Sequence, residues 1–250
     1  LRRLAGEDVR GLAEPPLFEP LGMTDTRFRP PEALWPRVAP TEPRDLGGLM
    51  IRGTVHDPRA FRLGGVAGNA GLFSTAADLA RFAQALLQRG ELDGRRVLAP
   101  ETVAMYTAPH DVPGAVRALG WDVRSAYSGN RGGGMSPRAF GHGGYTGTAL
   151  WVDPDKDLFV VFLSNRVHPT GRGNVNGLAG RIATTFASAW PTPEPAPACP
   201  TPPVATGIDA LVAEGFSRLA GARVGLVTNS AARAKDGTST RELFARASNL

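Results

Sequence analysis

The stretch from Phe140 to Asn165 constrains this 250-residue chain more than any other. It opens Phe140-Gly141-His142-Gly143-Gly144-Tyr145-Thr146-Gly147-Thr148-Ala149-Leu150-Trp151-Val152 and closes on Leu158-Phe159-Val160-Val161-Phe162-Leu163-Ser164-Asn165. The second part is a nearly unbroken run of β-favouring apolar residues, the pattern of a strand buried on both faces. Asp153-Pro154-Asp155-Lys156-Asp157 lies between the two parts and has turn chemistry. The whole therefore reads as a β-hairpin with one long, glycine-rich arm. Glycine weakens a strand, and inside one it often marks the close approach of a ligand or another backbone. His142 sits among four of them.

The surrounding pattern predicts helices layered on a sheet, an α+β arrangement. Residues 1 to about 23 read as the tail of a helical segment, and recurrent prolines make 29 to 45 a loop or short edge strand. Thr75 is placed to cap a helix, with Asp78 three residues on. Leu79, Phe82, Ala83, Leu86 and Leu87 give that helix an apolar stripe, and Gly90 ends it. Pro100–Tyr106 reads as a short helix with proline in its first turn, and Leu119–Val123 as a strand. Asn174–Trp190 reads as a helix with Leu178, Ile182 and Phe186 on its apolar face. Prolines then crowd residues 191–203, as in a semi-rigid linker. Beyond it come a helix at Ala210–Phe216, a buried strand at Arg223–Asn229 and a helix at Thr238–Phe244. That is the opening of a doubly wound α/β domain. The expected domains are 1–190 and 206–250, joined by 191–205.

Several chemistries find no support. The net charge is +5 and the pI about 10.1, but the basic residues are scattered, so nucleic acid is not an expected partner. Cys199 is the single cysteine, which excludes a disulfide framework and a cysteine metal site. No apolar run approaches the roughly 18 residues of a membrane-spanning helix. His56, His110, His142 and His168 are isolated from one another, so no metal is expected. Gly-x-Gly-x-x-Gly occurs in no strand-to-helix context, and no cofactor is expected. A Ser-x-x-Lys nucleophile is absent: Asp153 and Ala232 stand three residues before Lys156 and Lys235, the two lysines present. The nucleophile elbow is absent as well. Tyr127-Ser128-Gly129-Asn130 is one residue longer than a Tyr-x-Asn element and reads as loop. The glycine-rich loop Gly64–Gly71, which carries Asn69, either passes close to a substrate or simply packs as a turn. His142 either lines a groove or is an ordinary histidine in a glycine-kinked strand.

The His142-Gly143-Gly144-Tyr145 segment and the strand after it resemble the third active-site motif of the β-lactamase / penicillin-binding-protein family of serine hydrolases. Pro20-Leu21-Gly22-Met23-Thr24-Asp25-Thr26 and Gly71-Leu72-Phe73-Ser74-Thr75-Ala76-Ala77-Asp78-Leu79-Ala80-Arg81-Phe82 resemble two further landmarks of that family, in the same order. The resemblance implies that His142 stands where the motif's cation faces the substrate. It implies that Gly143 and Gly144 leave the strand open to substrate, and that the Tyr145 backbone N–H is an oxyanion donor. It places Ser-x-x-Lys and Tyr-x-Asn upstream of the Leu21-Gly22-Met23 landmark. The chain is therefore expected to be an inactive piece of a longer, exported, periplasmic or extracellular hydrolase. The parent would act through an acyl-serine on ester or amide substrates, including peptidoglycan-derived peptides. In the last 45 residues, Gly207-Ile208-Asp209, Val224-Gly225-Leu226-Val227-Thr228-Asn229 and Asp236-Gly237-Thr238-Ser239-Thr240 resemble the start of exo-acting β-N-acetylmuramidases. That resemblance implies Asn229, at the carboxyl end of the first strand, as a ligand residue. It also implies, as an alternative, a parent whose main activity is that glycoside hydrolysis. A non-catalytic module binding cell-wall peptide or glycan is the alternative from another class.

Overall fold

A computed structural model describes residues 2–44, 48–190, 207–220, 234 and 236–247. The chain separates into two units, Leu1–Pro197 and Ala198–Leu250. The first holds α1 (Arg2–Ala5), α2 (Val9–Ala13), β1 (Arg27–Phe28), α3 (Pro58–Arg62), β2 (Leu72–Phe73) and α4 (Ala76–Leu87). There follow β3 (Glu91–Leu92), β4 (Arg95–Arg96), α5 (Pro100–Thr107), β5 (His110–Val112), β6 (Ala115–Arg117) and β7 (Asp122–Arg124). The glycine-rich stretch gives β8 (Phe140–Gly144), β9 (Thr148–Asp153) and β10 (Leu158–Phe162), and α6 (Asn176–Ala189) closes the unit. Six strands form one antiparallel sheet in the order β10-β9-β8-β7-β6-β5.

The expected hairpin is in fact a three-stranded meander. The chain reverses once at Tyr145–Gly147 and again after Asp153, pairing Phe140 with Val152 and Leu158 with Asp153. The first reversal is a three-residue loop whose last position, Gly147, has φ +104°, a backbone state that glycine adopts without strain. The apolar run also differs from expectation. β10 is the sheet's edge and only its first residue, Leu158, is buried.

Strand alternation then sorts the core into two layers. Phe140, Val152 and Val123 pack with Ala83 and Leu86 of α4 on one face. On the other, Ala149, Trp151 and Leu158 pack with Ala183 and Ala187 of α6. The α4 stripe matches its sequence pattern, and Thr75 caps the helix by accepting from the Asp78 N–H at 3.3 Å. The α6 stripe does not. Leu178 and Phe186 are exposed, whereas Ala179, Gly180, Ala183 and Ala187 are buried. Small residues let this helix seat close to the sheet and against the loop at Gly132 and Gly134, where an added Cβ would meet α6 within 3 Å. Lys156 closes the far end of α6, donating from Nζ to the Ala187 carbonyl at 2.8 Å, a favourable place for a cation.

The two upstream landmarks form one structure. Asp78 is 5% exposed, and its Oδ2 accepts from the Asp25 N–H and the Thr26 hydroxyl, both at 2.8 Å. Beside it β1 pairs with β2, and Thr26 Oγ1 lies 2.7 Å from Ser74 Oγ. Replacing Asp78 with alanine is expected to lower stability by about 2–3 kcal/mol, because two donors lose a charged, buried acceptor. Urea unfolding checks this, and a loss too small to measure would contradict it.

In the second unit, α7 (Gly207–Ala213) and α8 (Thr240–Arg246) are present. Ser239 and Glu242 form a reciprocal capping box at the start of α8, and Phe216 meets Phe244 edge-on with ring centroids 5.1 Å apart. The strand expected at Arg223–Asn229 and the tract at 191–205 lie outside the described residues.

Candidate active site

The β8–β9 loop is held by its carbonyls. Gly147 N–H donates to Gly144 O at 3.0 Å, and Arg166 N–H donates to Thr146 O at 3.1 Å. Arg166 Nε donates to Tyr145 O and Ser164 Oγ to Gly147 O, both at 2.6 Å for Nε–O and Oγ–O respectively. The N–H groups of Tyr145 and Thr146, the two central residues, make no hydrogen bond within the described residues. A β-turn routinely leaves those two donors free. Their residues also line a cleft of about 810 Å³, together with Gly144 and Thr148 from the meander. Its other walls include Glu42, His56, Asp57, Asn69, Ser74, Ser164 and Asn165.

The expected site residues divide. Gly144, Tyr145 and Asn69 line the cleft. His142 and Gly143 do not. His142 is exposed on β8, and its Nδ1 lies 2.7 Å from the Gly143 carbonyl. A carbonyl can only accept, so Nδ1 carries the proton and Nε2 of the neutral ring is a free acceptor. Gly143 has a packing reason: a Cβ there would sit 2.3 Å from Asn130 Nδ2. Gly141 has another, since its Cβ would meet the Leu150 carbonyl and the Trp151 ring within 2.4 Å. At Gly144 the obstacle would be the Thr148 hydroxyl, also a cleft residue. β7 pairs with β8 only at Asp122–Gly141, so among the described residues no strand pairs with that edge of β8 from His142 to Gly144. Asn229 lies outside the described residues.

The Tyr127–Asn130 segment is structural. Asn130 is buried, and Trp151 Nε1 donates to its Oδ1 at 2.9 Å. Asp122 beside it is 1% exposed and accepts from Ser128 Oγ at 2.7 Å.

Sequence reasoning missed a pair in the cleft. His56 Nε2 lies 2.8 Å from Glu42 Oε1. Both come from irregular chain, 14 residues apart, and no periodicity could have linked them. Among the described residues no cluster of three or more metal-ligating side chains accompanies them. Asp57, next in sequence, caps α3 by accepting from Ala60 N–H at 2.7 Å. That bond, aided by one from Asn69, holds its carboxyl below the ordinary value of 3.8. A depressed carboxylate stabilises above its unfolded pKa, and the contribution is lost as pH falls through the folded value. Asp57→Asn is therefore expected to make acid unfolding less steep below pH about 4, read from urea midpoints against pH. An unchanged slope would count against the cap.

A helix-flanked antiparallel sheet with a glycine-framed turn beside a cleft is the layout of one class of serine hydrolases. The β-lactamase family model matches residues 1–185, and the chain belongs to that family. It is 32% identical over 181 residues to an Escherichia coli (strain K12) protein named as a D-alanyl-D-alanine carboxypeptidase, covering 66% of this chain and 42% of that protein. A Salmonella enteritidis protein of the same name is 34% identical over 180 residues, covering 65% and 41%. The chain thus spans about two fifths of the length of these curated relatives. Among solved structures, a family VIII carboxylesterase superposes with TM-score 0.55 at 20% identity, covering 74% of this chain and 54% of that one. A penicillin-binding-protein homologue from Caulobacter crescentus gives 0.54 at 21%, covering 75% and 54%. These two likenesses concern the fold. Among the described residues no helix is long and apolar enough to cross a membrane.

Proposed function

We propose that this chain supplies the substrate-side wall of an acyl-serine hydrolase acting on ester or amide bonds, peptidoglycan-derived peptides among them. The observation that carries the reading is the free Tyr145 N–H, on a turn whose four carbonyls are all engaged, beside an 810 Å³ cleft. Such a donor can stabilise the oxyanion of a tetrahedral intermediate. The edge of β8 beyond Gly141, which β7 leaves unpaired, is the strand we assign to pair with an extended acyl chain. His142 is the group we assign to the substrate: as imidazolium its Nε2–H can donate to a substrate carboxylate, and as the neutral ring its Nε2 can accept a proton from the nucleophile's network. Gly144 and Asn69 border the bound substrate, and Gly143 carries His142 past Asn130. The nucleophile and its lysine are proposed to lie outside these 250 residues, since neither lysine follows a serine by three.

Residues 206–250 are proposed to begin an N-acetylmuramidase-like domain, with Asn229 among its ligand residues. In this reading 191–205 is the linker and the whole protein is an exported cell-wall enzyme. Support comes from Gly207-Ile208-Asp209 and Asp236-Gly237-Thr238-Ser239-Thr240, and from the capped helix α8 that follows them.

A fluorescent penicillin tests the first reading. The whole natural protein is expected to become covalently labelled at a serine, and the 250-residue chain is expected to remain unlabelled. Labelling of the short chain that survives His142→Ala would reveal a nucleophile within it. No labelling or hydrolysis of any ester by the whole protein would favour a binding module without turnover.

A further inference from the structure

An aromatic residue at the tip of a three-residue hairpin loop has little to hold it, yet Tyr145 is engaged from several directions. The residue is 68% exposed, but the His56 imidazole stacks on its ring with centroids 5.7 Å apart and planes 20° apart. The Arg166 guanidinium carbon lies 4.3 Å from the same ring centroid, well within cation–π range. Arg166 also takes the Tyr145 carbonyl through Nε.

These contacts close on themselves. Glu42 holds His56 at 2.8 Å and abuts Gly171, where an added Cβ would collide with the Glu42 carboxylate. Arg166 Nη1 donates to the carbonyls of Gly171 and Gly173 at 3.4 and 3.0 Å. The strand of irregular chain carrying Glu42 is tied to the same loop, because Asn165 Nδ2 donates to Pro40 O and His168 Nδ1 lies 3.1 Å from Thr41 O. None of these groups belongs to the sheet, so the regular ladder does not explain their arrangement.

We infer that His56, backed by Glu42, and Arg166 are positioning residues that fix the Tyr145 turn and with it the direction of its free N–H. The catalytic consequence rests on the proposed oxyanion role of that N–H; the immobilisation does not. Arg166 holds the following peptide by the Tyr145 carbonyl, and Gly147 N–H holds the Gly144 carbonyl of the peptide that carries the Tyr145 N–H. The ring contacts of His56 and Arg166 hold the residue between the two planes. An oxyanion donor held before substrate arrives needs no reorganisation during reaction, and side chains locked by their own partners are what such holding requires.

The test uses the whole natural protein with His56→Ala, Arg166→Ala and His56→Phe. The first readout is amide hydrogen exchange at Gly147, whose N–H closes the turn. His56→Ala and Arg166→Ala are each expected to speed this exchange about tenfold through local opening, with the overall melting temperature nearly unchanged. His56→Phe keeps a stacked ring and is expected to restore exchange to within a factor of about three of the natural protein. The second readout is acylation by a fluorescent penicillin, with the loss expected in the acylation rate constant and not in the dissociation constant of the initial complex. Unchanged Gly147 exchange in both alanine variants overturns the inference. Faster exchange with unaltered acylation upholds the clamp and removes the oxyanion role from Tyr145.

Discussion

If the Tyr145 N–H is the oxyanion donor of the proposed hydrolase, replacing Tyr145 with proline is expected to slow acylation of the whole protein by about 100- to 1000-fold, the cost of one such donor. The position makes the experiment clean. Tyr145 follows Gly144 in the turn closed by Gly147 N–H to Gly144 O, and proline is favoured at that first central position. Gly144 ends β8 in an extended state that proline tolerates before it. The substitution therefore deletes the N–H and spares the reversal. It also deletes the ring that His56 and Arg166 hold, so Tyr145→Ala is the reference, keeping the N–H without the ring. The donor reading fails if the two variants acylate at the same rate.

The largest stability loss is expected at Trp151, where alanine should cost about 3–5 kcal/mol. Its side chain is 1% exposed and lies between the glycine strand and α6. Gly141 leaves room for the ring on one side, and Ala183 and Ala187 pack in the same layer. Truncation would open a cavity there and also strand the buried Asn130 amide, whose Oδ1 accepts the indole N–H. Trp151→Phe should cost less, because it retains most of the volume while losing that bond. Urea midpoints for the two variants give the comparison. An alanine variant within about 1 kcal/mol of the natural protein would mean the site collapses around the gap.

What the sequence disclosed, and what it hid, follows from where information is local. α4 was legible because cap, stripe and terminating glycine all lie within sixteen residues. The Ser239–Glu242 capping box of α8 is as local but was not read, only the helix it starts. The fold class was legible too: helices over an antiparallel sheet. The face of α6 was misread because Leu178 and Phe186 look like core residues, while the sheet requires the small face Ala179–Ala183–Ala187. That choice is dictated by Trp151 and the loop at Gly132 and Gly134, both a long way back in sequence. The reversal at Tyr145–Gly147 was concealed because tyrosine and threonine favour strands, leaving Gly147 as the one local sign. At the site, the motif drew attention to a turn whose Gly144 and Tyr145 line the cleft. It gave no hint that Gly141 and Gly143 serve Trp151 and Asn130, or that Glu42 and His56 meet.

The Asp78 carboxylate has a consequence for how this unit tolerates change. Because one buried oxygen clasps the Asp25 amide and the Thr26 hydroxyl, the Leu21–Thr26 and Gly71–Phe82 segments are energetically a single object. Loss of the Thr26 hydroxyl should weigh little once Asp78 is gone, so the two substitutions would combine sub-additively, as residues sharing a partner do. Segments far apart in the chain would then drift through sequence space together, each permitted to vary only as the other allows.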